Sequence, residues 1–118
     1  MVDRRNRVTE SWEISRIRAR GSSAASGPLV GRVLPNHTEP LRNRYTVIAG
    51  KRIGKAHDRN RCKRLTREAM RLLDPELKQG YDVVVWLRGG VTELTGLAVA
   101  QNSLLEIARK TRILKDAS

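Results

Sequence analysis

The chain has 118 residues, 24 Lys and Arg against 12 Asp and Glu, a net charge of +12 and 39% hydrophobic residues, lengths and proportions that suit one domain with a modest core over residues 1–118. No apolar run approaches the roughly 20 residues of a membrane span, the opening MVDRRNRVTESWEISR does not read as a secretory signal, and the lone Cys62 excludes an internal disulfide and points to a reducing, cytoplasmic setting. A pI near 11.2 calls for a polyanionic partner, either nucleic acid or an acidic membrane face.

The elements follow from periodicity and punctuation. Residues 1–6 and 115–118 are expected to be flexible ends. Val8 to Arg20 reads as a helix, with Thr9 or Ser11 as N-cap and Gly21 as stop. Its apolar Ile14 and Ile17 fall at helical spacing, with Trp12 offset from them. GSSAASG (21–27) reads as a small-residue loop. Leu29 to Leu34 is a strand ended by Pro35-Asn36, and residues 35–43 form a loop. YTVIA (45–49) is a second strand.

A helix follows from Arg59 to Leu73, with Asp58 as N-cap and Asp74-Pro75 as stop. YDVVVWL (81–87) is a strand whose unbroken valine run predicts a buried position. Thr95 to Lys110 is a last helix with Leu97, Leu104 and Ala108 on one face. Together these segments predict a small α+β domain with helices packed on a sheet.

The charge is not evenly spread. Residues 41–71 hold eleven basic residues against Asp58 and Glu68, so this segment carries +9 of the +12. On the middle helix, Cys62, Leu65, Ala69, Leu72 and Leu73 form one apolar stripe, while Asn60, Lys63, Arg64, Arg67 and Arg71 project from the other side and Arg59 and Arg61 flank them. Like charges at i,i+4 repel by a few tenths of a kcal/mol per pair, roughly, so helix stability alone does not account for the pattern. A charge run is ordinarily a solvated face, but this density and net charge favour phosphate recognition, with Arg as a two-pronged donor and Lys as a point charge.

The preceding GKRIGKA places Lys51, Arg52 and Lys55 among Gly50, Gly54 and small residues just before a helix N-terminus. Backbone can approach a phosphate closely there. The GxxxxGK[ST] spacing of a Walker A loop is missing, and an ordinary strand-to-helix loop would have a similar composition.

Chemistry-bearing clusters are sparse. The acidic residues are scattered rather than gathered for metal ions. His37 and His57 have no partner at catalytic spacing, Cys62 lies on the apolar stripe, and no Cys/His set suits zinc. A stand-alone nuclease is therefore disfavoured.

The stretch GKRIGKAHDRNRCKRLTREAMRLL (50–73) resembles the protein subunit of bacterial ribonuclease P. The pattern falls on Lys51, Arg52, Ile53, Gly54, Ala56, Arg59, Asn60, Arg61, Lys63, Arg64, Arg67 and Glu68. The flanks are similar too, through Arg7-Val8, Ile14 and Gly21, LVGRVLPN (29–36) and GYDVV (80–84), so that the likeness covers about residues 7–114. It implies an α/β sandwich in the order αβββαβα, with a left-handed βαβ crossover. One strand of that order is missing from the reading above; a short one is expected between residues 36 and 48.

The resemblance further implies an accessory subunit of an endoribonuclease, a hydrolase that removes the 5′ leader of precursor tRNA. Catalysis would rest in the RNA with its Mg²⁺, and no catalytic residue or stably bound metal is expected in this chain. The implied partners are the catalytic RNA and precursor tRNA, with no membrane and no obligate protein partner. Lys51, Arg52, Lys55, Arg59, Asn60, Arg61, Lys63, Arg64 and Arg67 would bind RNA. A cleft between the first helix and the sheet would take the single-stranded leader.

The chain departs from the family at that cleft, which is usually lined by aromatics, because it has no Phe. Ile14 and Arg18 stand where aromatics are common. Trp12 and Tyr45 are the candidates for stacking nearby, with a core anchor as the alternative for Trp12. The competing function is a structural or ribosomal RNA-binding protein, which the basic charge supports equally and the fixed spacing of residues 51–68 does not.

Overall fold

The computed structural model describes residues 11–115. Three helices, α1 (Ser11–Arg20), α2 (Ala56–Leu73) and α3 (Leu97–Lys110), surround one sheet of β1 (Ser22–Ser26), β2 (Leu29–Pro35), β3 (Arg44–Ile48) and β4 (Tyr81–Leu87). The chain order is αβββαβα and the sheet order is β1-β2-β4-β3. The β1–β2 and β2–β4 pairs are antiparallel, while β3 runs parallel to β4 and connects to it through α2.

The strand missing from the sequence reading lies at 22–26, inside the segment expected to be a loop, and not between 36 and 48. Its SSAAS sequence carries no β-branched or aromatic residue, so propensity gives no sign of it. Pairing creates it: Ser26 faces Leu29 across a two-residue turn in which Gly27 has φ 53. Pro28 cannot follow with positive φ, which leaves the II′ geometry that suits a twisted hairpin and calls for glycine first. Lys110 Nζ donates to the Ala25 carbonyl at 3.1 Å and ties this edge to α3.

Both faces of the sheet are covered. Leu29, Val33, Tyr45, Val47, Val83, Val85 and Leu87 face a core completed by α2 and α3. A smaller cluster on the other face joins buried Ile17 of α1 to Val84, with Ile14, Leu34, Ile48 and Trp86 packed around it. This explains the unbroken valine run, since alternate residues of β4 enter different cores. Burying each such side chain contributes about 1.5–3 kcal/mol.

Helix α2 begins at Ala56, three residues earlier than expected, and Lys55 occupies the N-cap position. Asp58 therefore lies in the first turn instead of capping the helix, where its charge still complements the macrodipole. The buried stripe is also shifted, consisting of Cys62, Thr66, Ala69 and Met70, with Leu65 and Leu73 half-buried and Leu72 exposed. Thr66 was masked in the sequence by its hydroxyl, which in the fold donates to the Cys62 carbonyl at 2.8 Å and so is buried without loss. Helix α3 starts at Leu97 rather than Thr95, and it buries Leu104 and Ala108 as expected, with Ala100, Ser103 and Ile107 beside them. The start of the first helix at Val8 and the Thr9 cap lie outside the described residues.

Candidate nucleic-acid interface

The sheet register organises the face beneath α1 into three rows. Val30, Trp86 and Ile48 form the first; Arg32, Val84 and Thr46 the second; Leu34, Asp82 and Arg44 the third. Helix α1 covers the second and third rows. Ile17 packs on Val84, and over the third row Arg44 Nη2 donates to Glu13 at 2.5 Å. The same guanidinium grips Asp82 through Nε and Nη2, both at 2.7 Å, and Asn36 Nδ2 donates to Asp82 Oδ1 at 3.0 Å. The hydrogen bond to Asp82, aided by the attraction of both carboxylates, pushes the Arg44 pKa up. This buried network fixes the position of α1 on the sheet.

The first row stays open. An exposed cleft of about 420 Å³ has Val30, Ile48 and Trp86 on its floor and four arginines, Arg18, Arg32, Arg52 and Arg88, around it. Arg18 lies over the Trp86 ring, 5.1 Å from its centroid, within the range of a cation–π contact. Arg32 Nη1 donates to the Arg18 carbonyl at 2.6 Å, and Arg88 Nε to the Gly27 carbonyl at 2.7 Å. Arg32 and Arg88 are thus positioned by backbone acceptors, leaving other N–H groups of each fork for a ligand.

A 3₁₀ turn at Lys51–Ile53 leads from this cleft to α2. Gly54 follows with φ 151 and ψ −168, a conformation essentially reserved for glycine, and it redirects the chain from the sheet edge into the helix. Lys51, Arg52 and Lys55 are exposed around it, and the exposed face of α2 continues with His57, Asn60, Arg61 and Arg64. Arg59, Lys63 and Arg67 are half-buried at the sides of that face. Arg71 is committed to Glu68 at 2.5 Å, a pairing that raises the Arg71 pKa and lowers that of Glu68.

Of the residues singled out from the sequence, Arg59, Asn60, Arg61, Lys63, Arg64 and Arg67 lie along the outer side of α2, Lys51 and Lys55 precede it on the turn and at the N-cap, and Arg52 lines the cleft. Arg18 reaches the cleft as well. Ile14 packs in the seam between α1 and the sheet. Trp12 is 63% exposed near the opposite end of α1, which disposes of the core-anchor alternative.

Tyr45 is not in the cleft. It is 4% exposed on the opposite face of the sheet, with its hydroxyl donated to Asp74 Oδ1. Burial, reinforced by that carboxylate, pushes its pKa well up. The reason is parity: along β3, Tyr45 and Val47 point to the α2–α3 core, and Arg44, Thr46 and Ile48 to α1. Sequence reasoning missed Trp86, Arg32 and Arg88; the one available signal was that Trp86 alternates with Val85 and Leu87, and its cleft position emerges only from the register with Val30 and Ile48.

Among the described residues no three His, Cys, Asp or Glu side chains come together as a metal-binding group. Cys62 is buried, which raises its thiol pKa, and makes it a poor nucleophile. Among the same residues, no helix is long and apolar enough to cross a membrane.

Comparison with known proteins gives the family and the fold. A family model described as ribonuclease P matches residues 2–111. The "Ribonuclease P protein component" of Caldanaerobacter subterraneus subsp. tengcongensis is 33% identical over 116 residues, covering 98% of this chain and 97% of that protein. The protein of the same name from Chloroflexus aggregans is 32% identical over 94% of this chain and 81% of its own length. Among solved structures, the RNase P protein of Staphylococcus aureus superposes with a TM-score of 0.78 at 24% identity, covering 93% of this chain and 98% of that one. That of Thermotoga maritima gives 0.76 at 24% identity, with 92% and 98% covered. With nearly its whole length matched and a full-length relative a third identical to it, the chain belongs to the ribonuclease P protein family.

Proposed function

We propose that the chain is the protein subunit of a ribonuclease P particle, and that it presents two RNA-binding surfaces. The outer strip of α2, with Lys51, Lys55, Arg59, Asn60, Arg61, Lys63, Arg64 and Arg67, meets the phosphates of the catalytic RNA. The cleft between α1 and the sheet, with Arg18 and Arg52 at its rim, takes the single-stranded 5′ leader of precursor tRNA. The observation that carries this reading is the continuity of the two surfaces: the turn at residues 51–53 joins an arginine-rimmed, apolar-floored cleft to a cationic helix face. Phosphate contacts position a polyanion, while an apolar floor suits splayed bases.

On this reading the protein does not perform the hydrolysis. The carboxylates of Asp82, Glu13 and Asp74 do not fit a catalytic metal: Asp82 is clasped by Arg44 and Asn36, Glu13 by Arg44, and Asp74 accepts from Tyr45 and Asn43. Divalent cations such as Mg²⁺ belong to the RNA of the particle, and no step is assigned to a metal held by this chain. The protein contributes by screening phosphate repulsion between catalytic RNA and substrate and by holding the leader in register with the scissile bond.

Reconstitution tests it. With the catalytic RNA at low Mg²⁺, adding the protein is expected to stimulate cleavage of precursor tRNA to a mature 5′ end. Absence of stimulation, with RNA binding retained, would instead support a structural RNA-binding protein. RNA cleavage by the purified protein alone would contradict the assignment of catalysis.

A further inference from the structure

Resting on the cleft reading above, we propose that the Trp86 indole is the stacking surface for one leader base, taking over from the sheet side the role of the helix aromatics this chain lacks. Three observations carry it. First, Tyr45 and Tyr81 pack in the opposite core, so on the α1 face of the sheet Trp86 is the one aromatic side chain among the described residues. It sits half-exposed at the centre of the row formed with Val30 and Ile48.

Second, a planar cation already occupies the ring: the Arg18 guanidinium stands 5.1 Å from its centroid. Guanidinium planes and nucleobases are alternative partners for a π-face. An incoming base displaces Arg18 from the indole, and the freed guanidinium can then hold a leader phosphate at the rim.

Third, the indole Nε1–H is buried without an acceptor among the described residues. A tryptophan serving only as filler ordinarily has that donor satisfied. A nucleotide entering as Arg18 leaves brings carbonyl and phosphate oxygens that can accept from it. The proposal moves the aromatic contact from α1 to β4, which the network of Arg44, Asp82 and Glu13 holds in fixed relation to the helix.

The direct test leaves Trp86 in place. In the full chain with Trp12→Phe, Trp86 is the sole indole, and titration with a short unstructured oligoribonucleotide is expected to quench its emission in step with binding read by anisotropy of a labelled copy. Binding without any change in Trp86 emission would overturn the proposal. In the reconstituted particle, Trp86→Leu is expected to raise the KM for leader-bearing precursor about tenfold, as loss of one stacked base does. It should leave the KM of a precursor with a one-nucleotide leader unchanged, and Trp86→Phe should restore most of the difference. An equal effect of Trp86→Leu on both substrates would also overturn the proposal, while leaving the subunit assignment standing. If the wild-type particle itself does not distinguish the two substrates, the cleft reading fails and the proposal with it.

Discussion

Replacing Arg59, Arg61 and Arg64 together by glutamine tests the α2 surface most directly. Arg61 and Arg64 are exposed and Arg59 is half-buried. Glutamine is nearly as good a helix former as arginine, and relief of like-charge repulsion offsets the little that is lost. Stability should therefore stay within about 0.5 kcal/mol of wild type. If each guanidinium neutralises one phosphate, three contacts contribute about 2–2.7 to the slope of log K against log salt, at 0.7–0.9 per phosphate. Between about 50 and 200 mM salt the variant should then lose roughly 15–40-fold less affinity for the catalytic RNA than the wild type does. Filter binding across that range measures it. A control with Arg109, Lys110 and Arg112 changed to glutamine removes the same charge from the far end of α3, and should keep the wild-type slope. Equal slopes for wild type and the α2 variant, or equal loss in the control, would refute the reasoning, because net charge and not this helix face would then set the binding.

Three further outcomes follow from the packing. Arg44→Met strands Asp82 and Glu13 without their cation; because Arg44 keeps 22% side-chain exposure and Asp82 keeps its bond from Asn36, the cost should be about 2–3 kcal/mol, near the low end for a broken buried pair. Thermal unfolding should show a fall of roughly 10 °C for a chain of this size, and an unchanged midpoint would remove the network as the anchor of α1. Tyr45 has a folded-state pKa raised by burial and Asp74, so its stabilising contribution is complete below about pH 10 and is lost as the pH climbs beyond that value. Tyr45→Phe should accordingly show a flatter alkaline decline in unfolding free energy; a parallel decline would contradict the burial of the phenol. At Gly90 an added Cβ would lie 2.7 Å from the Ile53 carbonyl oxygen, so Gly90→Ala should push away the turn that carries Arg52 and weaken leader-oligonucleotide binding more than catalytic-RNA binding, as anisotropy can show; equal weakening would uncouple that turn from the cleft.

The cationic helix was legible because its signal is redundant: spacing, charge density and an apolar stripe all describe one amphipathic α2. The burial of β4 was legible from its valine run. Strand β1 was not, since its serines and alanines become a strand only through pairing with β2 and support from α3. Tyr45 and Trp86 show a different limit. A strand buried on both faces alternates without revealing which set meets which helix, so an aromatic residue could be assigned to the sheet but not to a side of it. Asp58 is not the cap because the helix is already under way at Ala56, directly after Gly54 and Lys55, with Arg59 N–H donating to the Lys55 carbonyl at 2.9 Å, so a residue chemically suited to cap it falls in the first turn instead.

The unusual N-cap of α2 has a consequence for how robust the positive surface is. Lys55 provides no side-chain acceptor to the first amides of the helix, so their partial charge, equivalent to about half a proton, is left facing the same solvent as the lysines and arginines around it. That fraction of the field is built into the peptide backbone. Genetic drift can erase a lysine here one codon at a time, but the backbone's share, which Asp58 in the first turn already offsets in part, persists until an acceptor such as serine or aspartate at position 55 caps those amides.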